Sequence, residues 1–172
     1  AVHMAQPQAK VLSSITTEHW LGHRLPMKRC EAGQSWQWDG VAFEVLHPLS
    51  KDYDKLLPPN DRSCVLRIQA SGQTVLLTAD IEALQERALV ERMGDALRAD
   101  ILLVPHHGSK TSSTHPFLDA VQPRIAWVQA GYRNRYGHPS PEVMQRYADK
   151  GIHMWDSPHC GAMHWRSDSP TQ

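Results

Sequence analysis

Short apolar runs alternate with polar, turn-forming stretches along most of the chain. Runs of four to eight apolar residues bounded by turn residues are typical of buried strands. Such runs predict strands at Val41–His47, Ser63–Ala70, Gln73–Thr78, Asp100–Val104, Arg124–Ala130, Ile152–Trp155 and Ala162–Trp165. The second and third of these runs are separated only by Ser71 and Gly72, which predicts a β-hairpin.

The stretches between the later strands carry helix signals. Apolar residues at Ile81, Leu84 and Ala88 predict a helix that ends near Met93–Gly94. A second helix is predicted to begin at His115–Pro116 and to end before Pro123. Ser140, Pro141 and Glu142 predict the start of a third, which runs to Lys150 and stops at Gly151.

The first third of the chain has weaker patterns. Residues 5–35 are predicted to be irregular, with one short helix near Glu18, and residues 49–62 to form a mobile loop. Hairpins in the first half and alternating strands and helices in the second predict one layered α/β domain with mixed strand pairing.

Composition narrows the class of protein. The chain has 172 residues, 18 basic and 18 acidic, so its total charge predicts no strong field toward DNA or a membrane. A local basic face remains open at Lys110, Arg124, Arg133 and Arg135. No apolar run is long enough to span a bilayer, and no signal peptide is visible. We interpret Ala1–Met4 as residues left by cloning.

The three cysteines, Cys30, Cys64 and Cys160, lack Cys-x-x-Cys spacing. Their odd number and the lack of this spacing argue against a thiolate zinc site and against a disulfide framework, while one disulfide with one free thiol stays open.

Two predicted strands end in side chains that can bind metal. The strand before Pro105 leads into His106 and His107, and the strand before it ends at Asp80. These side chains predict a shared sheet edge at which a cation binds. Asp80 could instead cap the helix starting at Ile81. Because neighbours in an extended chain point in opposite directions, we expect one histidine to be a ligand and the other to support it by a hydrogen bond.

Two polar loops are candidates for substrate binding. Ser109–Ser113, which includes Lys110, is either a solvated turn or a phosphate-binding loop. A nucleophilic serine is the weaker alternative, because Gly-x-Ser-x-Gly is absent. Gly131–Pro139 also has two alternatives. It is either a tight loop held by Asn134 and Gly137, or a binding loop. In a binding loop the arginines would hold phosphate, the tyrosines would stack on bases, and His138 would reach the metal edge.

The remaining histidines and the alternating tryptophans have plainer interpretations. His115, His153, His159 and His164 are predicted to be structural. Trp36 and Trp38 are predicted to place one face of a strand in the core.

Several motifs together resemble one family. They are Cys30 with Gly33-Gln-Ser-Trp36, Val45-Leu-His-Pro48, Ser63-Cys-Val-Leu-Arg67, Leu77-Thr-Ala-Asp-Ile-Glu82, Val104-Pro-His-His-Gly-Ser-Lys-Thr-Ser-Ser113, Asn134-Arg-Tyr-Gly-His-Pro139 and Cys160-Gly-Ala162. From about residue 10 onward the chain resembles the C-terminal domain of ComEC-type competence proteins.

The resemblance implies a metallo-β-lactamase-like αββα sandwich with metals at the strand ends. It also implies a polytopic inner-membrane parent that passes single-stranded DNA into the cell. In that parent this soluble domain, on the extracytoplasmic (periplasmic) side, would be the nuclease that degrades the strand not taken up.

The resemblance carries over residue by residue. Asp80 matches the bridging aspartate, although this chain has Thr-Ala-Asp where the family usually has Thr-Gly-Asp. One of His106 and His107 matches the late metal histidine, and His138 a histidine facing the site. In a nuclease these residues would hold zinc or manganese, and the phosphate would meet Ser109, Lys110, Arg133, Asn134, Arg135, Tyr136 and His138.

One departure limits this prediction. The fold's main metal motif, His-x-His-x-Asp-His, is absent from the 172 residues. Since a catalytic zinc needs about three protein ligands, we expect residues 5–172 to be the C-terminal part of an incomplete domain. Such a piece would bind metal weakly, be inactive, and expose edges that favour a homodimer or strand exchange. The alternatives are a non-catalytic DNA-guiding module of the same channel and a free metallohydrolase of small esters.

Overall fold

A seven-stranded mixed sheet forms the centre of the molecule. The computed structural model describes residues 5–15 and 19–168. The strands are β1 (Val11–Ser13), β2 (Met27–Arg29), β3 (Ser35–Trp38), β4 (Val41–His47), β5 (Val65–Ala70), β6 (Gln73–Leu77), β7 (Ile101–Leu103), β8 (Ile125–Val128) and β9 (His153–Asp156). Strands β3 to β9 lie in sequence order across the large sheet. Pairing is antiparallel from β3 to β6 and parallel from β6 to β9.

Most of the strand predictions are confirmed. The predicted hairpin joins β5 to β6, and its turn residues Ser71 (φ 50°) and Gly72 (φ 74°) are both left-handed, as a tight two-residue hairpin turn requires. The prediction that residues 5–35 are irregular was wrong, because β1 and β2 form a small parallel sheet and β3 begins at Ser35.

The predicted strand at Ala162–Trp165 does not form. The chain turns at Gly161 (φ 69°), and the following residues line a groove of about 480 Å³ together with Ile125, Trp127 and Trp155. The segment therefore borders one face of the sheet instead of pairing with its edge.

Four α-helices are described: α1 (Ala83–Met93), α2 (His115–Val121), α3 (Pro141–Asp149) and α4 (Ser157–Cys160). The three predicted helices correspond to α1, α2 and α3. The Ser140 hydroxyl caps α3 by accepting a hydrogen bond from Val143 N at 3.4 Å. Glu82 is the residue before α1, so the alternative that Asp80 caps this helix was wrong.

Two other predictions fall on loops. The expected loop at residues 49–62 contains two short 3₁₀ turns, Ser50–Asp52 and Pro59–Arg62. The helix expected near Glu18 lies outside the described residues.

The hydrophobic core lies between α1, α2, α3 and one face of the sheet. It contains Leu46, Val65, Leu76, Ile81, Leu89, Leu97, Leu102, Val104, Phe117, Leu118, Val121, Ala126, Val128, Val143 and Tyr147. The predicted apolar face of α1 was partly wrong, since Leu84 is exposed while Gln85 and Glu86 are buried beside Leu89. The side of α1 that faces the core is therefore the one that carries Gln85, Glu86 and Leu89, and not the side predicted from the apolar residues.

The opposite face of the sheet is also apolar. One row of paired residues crosses all seven strands of this sheet: Trp36, Phe43, Ile68, Val75, Ile101, Ile125 and His153. Leu12 of β1 covers part of this face beside a groove of about 430 Å³. The prediction that one face of Trp36 and Trp38 enters the core was wrong: Trp38 is 74% exposed at the sheet edge, and Trp36, stacked on Phe43, is 37% exposed.

One covalent link joins the first third of the chain to β5. Cys30 and Cys64 form a disulfide across 34 positions, and Cys160 is free and exposed. One disulfide with one free thiol, which the sequence left open without naming the pair, is therefore the arrangement present.

Candidate functional site: the carboxyl edge of the parallel strands

The predicted strand-end residues meet at one edge of the sheet. Strands β6, β7 and β8 are parallel, so their carboxyl ends lie at the same edge. Asp80 follows β6, the histidine pair follows β7, and His138 lies in the loop after β8. We call this region, with Asn60 and Glu82 beside it, the strand-end site.

His107 and Asp80 form the first pair. His107 Nε2 lies 3.4 Å from Asp80 Oδ1, and both side chains are partly exposed. The other ring nitrogen, Nδ1, donates to the carbonyl oxygen of Gln129 at 2.5 Å. That bond requires the proton on Nδ1, so in the neutral ring the lone pair lies on Nε2, the nitrogen that faces Asp80. Of the two histidines, His107 therefore has the orientation of a metal ligand.

His106 faces a different carboxylate. Its Nδ1 is 3.2 Å from Glu82 Oε1, although the two groups are not aligned for a hydrogen bond, and Nδ1 is buried without a partner. Its Nε2 lies 3.5 Å from the Asn60 amide. The ring centroids of His106 and His138 are 5.9 Å apart, so three imidazoles share the site.

The histidine turn is left-handed, which corrects the sequence-based premise of an extended chain. His106 (φ 47°) and His107 (φ 55°) lie in a 3₁₀ turn over Pro105–Gly108. The two side chains nevertheless diverge, toward Glu82 and Asp80 respectively. A backbone bond from His106 N to Ala79 O (3.0 Å) ties this turn to the end of β6.

Gly108 allows the next loop to approach. A Cβ atom at this position would lie 2.6 Å from the Cβ of Pro139. Ser140 N also donates to the Gly108 carbonyl at 2.9 Å. Only glycine permits this close packing of the histidine turn against the segment that carries His138.

The serine-rich loop has its donors turned inward, which corrects the phosphate-loop alternative. Ser112 and Ser113 are fully buried, and Ser109 nearly so. The buried Glu86 carboxylate accepts from Ser113 N (2.5 Å) and from Thr114 N (2.8 Å). The Ser112 hydroxyl donates to Pro105 O at 2.8 Å. The loop thus supports the histidine turn, and Lys110 remains exposed.

Burial shifts the pKa of two side chains near this loop, Glu86 and His138. Burial raises the pKa of Glu86, although hydrogen bonds from Thr114 and Ser113 oppose the shift. Burial also lowers the pKa of His138, and the neighbouring His106 and His107 lower it further. A neutral His138 is therefore favoured in a site that already holds two imidazoles.

The loop Gly131–Pro139 is the tight loop held by Asn134 that was one of the two sequence-based alternatives. The Asn134 side chain donates to Gly131 O (2.9 Å) and His138 O (2.6 Å) and accepts from His138 N (3.0 Å). Asn134 therefore shapes the loop. The flanking Tyr132, Arg133, Arg135 and Tyr136 are exposed.

The described residues supply part of a metal site. Two ligands of a tetrahedral zinc at bond lengths of about 2.1 Å are about 3.4 Å apart, and His107 Nε2 and Asp80 Oδ1 have this separation of 3.4 Å. Within residues 5–15 and 19–168, however, no group of three histidine, cysteine or carboxylate side chains converges. These residues alone do not fit a catalytic metal, which needs about three protein ligands.

Some residues of the site had no distinctive signal in the sequence. Asn60 and Glu82 reach His106 only through tertiary contact, and Glu86 has the spacing of an ordinary helix-surface residue. His47 is buried and bonded through Nε2 to Asp61 O at 2.8 Å, which fixes the turn that carries Asn60. The Val45-Leu-His-Pro48 motif was the available signal for His47.

The remaining histidines predicted to be structural lie elsewhere. His115, His153, His159 and His164 are exposed, and none takes part in the contacts of the strand-end site. Within the described part of the chain, no helix is long and apolar enough to cross a membrane.

Sequence comparison finds relatives among competence proteins. The chain is 42% identical to Competence protein ComA of Neisseria gonorrhoeae, over 77% of this chain and 19% of that protein. It is 36% identical to Recombination protein 2 of Haemophilus influenzae, over 68% of this chain and 14% of that protein. It is 31% identical to ComE operon protein 3 of Bacillus subtilis, over 81% and 18%. The chain thus spans at most about a quarter of the curated relatives it matches.

Solved structures give the fold. A metal-dependent hydrolase from Parabacteroides distasonis superposes with a TM-score of 0.54 at 16% identity, covering 87% of this chain and 64% of that one. CmlA, a diiron β-hydroxylase from Streptomyces venezuelae, gives 0.55 at 14% identity, covering 86% and 38%. No family model matches the chain. The relatives and the shared metallo-β-lactamase fold together identify this chain as a ComEC-type metallo-β-lactamase-like domain.

Proposed function

We propose that this chain is the C-terminal part of the phosphodiester-cleaving domain of a membrane-bound DNA-uptake protein. The observation that carries the proposal is the strand-end pair, in which His107 presents Nε2 to Asp80 at 3.4 Å. The relatives that work in competence support the setting. Residues 5–172 are then one part of a larger domain.

In the intact domain, Asp80, His107, His106 and His138 would form one side of a divalent-metal centre, with zinc or manganese as the ion. When bound, such an ion activates water for attack on phosphodiesters. The residues present here hold the imidazoles in place, and burial together with His106 and His107 lowers the pKa of His138. Because they supply too few ligands, the chain alone binds metal weakly and does not cut DNA.

The exposed cations are placed to hold the DNA backbone. Lys110, Arg133 and Arg135 are exposed beside the strand-end site, while Ser109 and Asn134 act through the loops they brace. Contacts from lysine and arginine to phosphate are the main source of affinity in DNA binding.

The disulfide supports an extracytoplasmic position. Disulfides persist in oxidising compartments such as the periplasm and are rare in the cytosol. The Cys30–Cys64 bond therefore supports the proposal that this domain lies on the outer side of the inner membrane. The apolar sheet face would bind the rest of the domain, or a second copy of the chain when that part is lacking.

The alternative function is a non-catalytic module that guides DNA along the same channel. The exposed arginine–tyrosine pairs of the Gly131–Pro139 loop favour it, because contacts of arginine with phosphate and of tyrosine with bases need no metal.

The deciding experiment compares this chain with a form extended upstream by about 60–80 residues, a rough allowance for the rest of a domain. Bound metal is measured by elemental analysis and DNA cleavage on gels. We expect stoichiometric metal and cleavage only in the extended form, and loss of both in Asp80→Ala and His107→Ala. His115→Ala, an exposed histidine outside the site, is the matched control and should retain both.

Two results would contradict the proposal that the domain is a nuclease. An extended form that binds DNA but takes up no metal and cuts nothing supports the guiding module. An extended form that neither binds nor cuts DNA excludes both functions.

A further inference from the structure

A short segment that precedes β5 borders the strand-end site. We call it the anchor segment, and it comprises residues 60–64. The amide nitrogen of Asn60, at its start, lies 3.5 Å from Glu82 Oε1 and 3.5 Å from His106 Nε2. Both distances are long for hydrogen bonds, so a small outward shift of the segment would break the two contacts.

The anchor segment also holds the backbone of Asp80. The Ser63 hydroxyl is buried and accepts a hydrogen bond from Asp80 N at 3.3 Å. The preceding residue, Ala79, has a left-handed φ of 48°, and its carbonyl accepts a hydrogen bond from His106 N at 3.0 Å. Asp80 thus follows a tight turn, and the bond to Ser63 helps to set where its carboxylate lies relative to His107.

Two links from other parts of the chain hold the anchor segment. The buried His47 donates from Nε2 to Asp61 O at 2.8 Å. The second link is covalent, because Cys64 forms the disulfide with Cys30. Cys64 directly follows Ser63 in the chain, so the disulfide limits how far the Ser63 hydroxyl can move.

The disulfide is accessible from a groove on the surface. Cys30 is buried, with 2% of its surface exposed, whereas Cys64 is partly exposed. Both cysteines line the groove of about 430 Å³ that also reaches Ala79. The exposed Lys10 lines the same groove, and a nearby cation favours the thiolate form of a thiol. A reductant that enters the groove therefore meets the Cys64 sulfur first.

We propose that Ser63 is the positioning residue of Asp80, and that the Cys30–Cys64 disulfide holds Ser63 in place, so that the redox state of this link controls the strand-end site. With the disulfide closed, Asp80 N keeps its acceptor. With the disulfide open, the anchor segment gains freedom and this hydrogen bond forms for less of the time. The inference deepens the proposed function, since the strand-end site would be ordered only where disulfides persist.

The switch is a thiol–disulfide exchange with a dithiol. One thiolate of the dithiol attacks Cys64 Sγ, the bond between the two cysteines breaks, and Cys30 leaves as a thiolate that takes up a proton. The second thiol of the dithiol, after losing its proton, attacks the mixed disulfide and releases Cys64, which is protonated in turn. Two electrons have then passed to the chain, which carries two thiols, and the dithiol has become a disulfide.

The test follows the Asp80 amide by NMR in the metal-free, isotope-labelled chain of 172 residues. A Cys160→Ser background removes the free thiol. Hydrogen exchange and the ring nitrogen shifts of His107 are recorded for the oxidised chain, after dithiothreitol, and after reoxidation. We expect exchange of the Asp80 amide to be about 2- to 13-fold faster in the reduced chain, the equivalent of one hydrogen bond. The His107 shifts should change with it, and reoxidation should reverse both.

A pair of variants isolates the Ser63 hydroxyl. Threonine and valine have nearly equal volumes, and only threonine keeps a hydroxyl. Ser63→Val should show fast exchange of the Asp80 amide in both redox states, whereas Ser63→Thr should keep the difference between the states. The Ala130 amide is the internal control, because it donates to Ser157 Oγ at 3.0 Å beside β8, three strands from β5, and should not respond to reduction.

Each alternative outcome contradicts a stated part of the inference. Equal exchange of the Asp80 amide in the folded oxidised and reduced chains overturns the switch. Loss of the near-ultraviolet circular dichroism on reduction also overturns it, because the disulfide would then hold the whole fold. Equal exchange in Ser63→Val and Ser63→Thr overturns the role of Ser63. If the redox difference is present but the extended form cuts no DNA, the proposed function fails and this inference stands.

Discussion

Replacing Glu86 removes the carboxylate that holds the serine-rich loop in place. Glu86 is fully buried, and its two oxygens accept from Ser113 N and Thr114 N. Arg146 donates to the carbonyl oxygens of Ser112 and Ser113 nearby. Glu86→Ala leaves both amides without their acceptor and removes one of two carboxylates near Arg146, which keeps its ion pair with Glu142.

The expected loss is large relative to the stability of a domain. Each buried donor left unsatisfied costs about 1–3 kcal/mol, so the two amides together give about 2–6 kcal/mol. Native domains are stable by about 5–15 kcal/mol. Because Ser112 also bonds Pro105 O, the same change should loosen the histidine turn and weaken DNA binding.

Urea unfolding followed by tryptophan fluorescence measures this loss. Glu91→Ala is the matched control, since Glu91 lies exposed on the same helix and should change the unfolding free energy by less than about 0.5 kcal/mol. A loss below about 1 kcal/mol in Glu86→Ala would refute the reasoning, because it would mean that the two amides find other partners.

The pH dependence gives a second readout of Glu86. Burial raises its pKa, so the folded state holds this proton at a pH where the unfolded state has released it. The stabilisation from this proton is complete below the ordinary carboxyl pKa and is lost as pH rises through the raised pKa. Glu86→Gln does not titrate, and its stability should lack this decline with pH.

Three further changes test other parts of the structure. Burial lowers the pKa of His47, so its contribution to stability is present above the ordinary histidine pKa and is lost as pH falls through the lowered value. His47→Gln keeps a donor for Asp61 O but does not titrate. Between pH 7 and pH 5 this variant should therefore lose less stability, measured by urea unfolding, than the unchanged chain. Ala79 has a left-handed φ of 48°, so Ala79→Gly should stabilise the chain by about 0.5–1 kcal/mol and raise its melting temperature. Cys64→Ser opens a loop of 34 positions and should cost about 4 kcal/mol in urea unfolding under non-reducing conditions.

Each of these changes has its own control. For the pH series it is His115→Gln, whose exposed ring should leave the acid profile unchanged; an identical profile for His47→Gln would contradict the burial argument. For Ala79→Gly it is Ala88→Gly, an exposed helix position that should lose about 1 kcal/mol; a lower melting temperature for Ala79→Gly would contradict the strain argument. Cys160→Ser should leave stability unchanged, and equal stability of Cys64→Ser would contradict the cross-link.

Local patterns in the sequence were sufficient for most of the second half of the chain. Strands β4 to β9 and helices α1 to α3 follow from runs of apolar residues, the Ser71–Gly72 turn and the Ser140–Pro141 helix start. These signals work because hydrogen bonding within a strand or helix and burial of one face depend on residues close in sequence. The shared edge of Asp80 and the histidine pair was predictable for the same reason, since parallel strands place their carboxyl ends together.

Only the tertiary structure decided which partners the polar groups have. Glu86 has the spacing of a surface residue, yet it is buried and accepts hydrogen bonds from the amides of Ser113 and Thr114, 27 and 28 positions away. The choice between His106 and His107 depends on Gln129 O, which is 22 positions from His107 and fixes its proton. A buried polar group forms its hydrogen bond with the donor or acceptor that the fold places beside it. That partner is distant in sequence, so a local sequence pattern does not predict it. The sequence therefore determined the strands, most of the helices and the edge where they end, while the fold determined the orientation of each group at that edge.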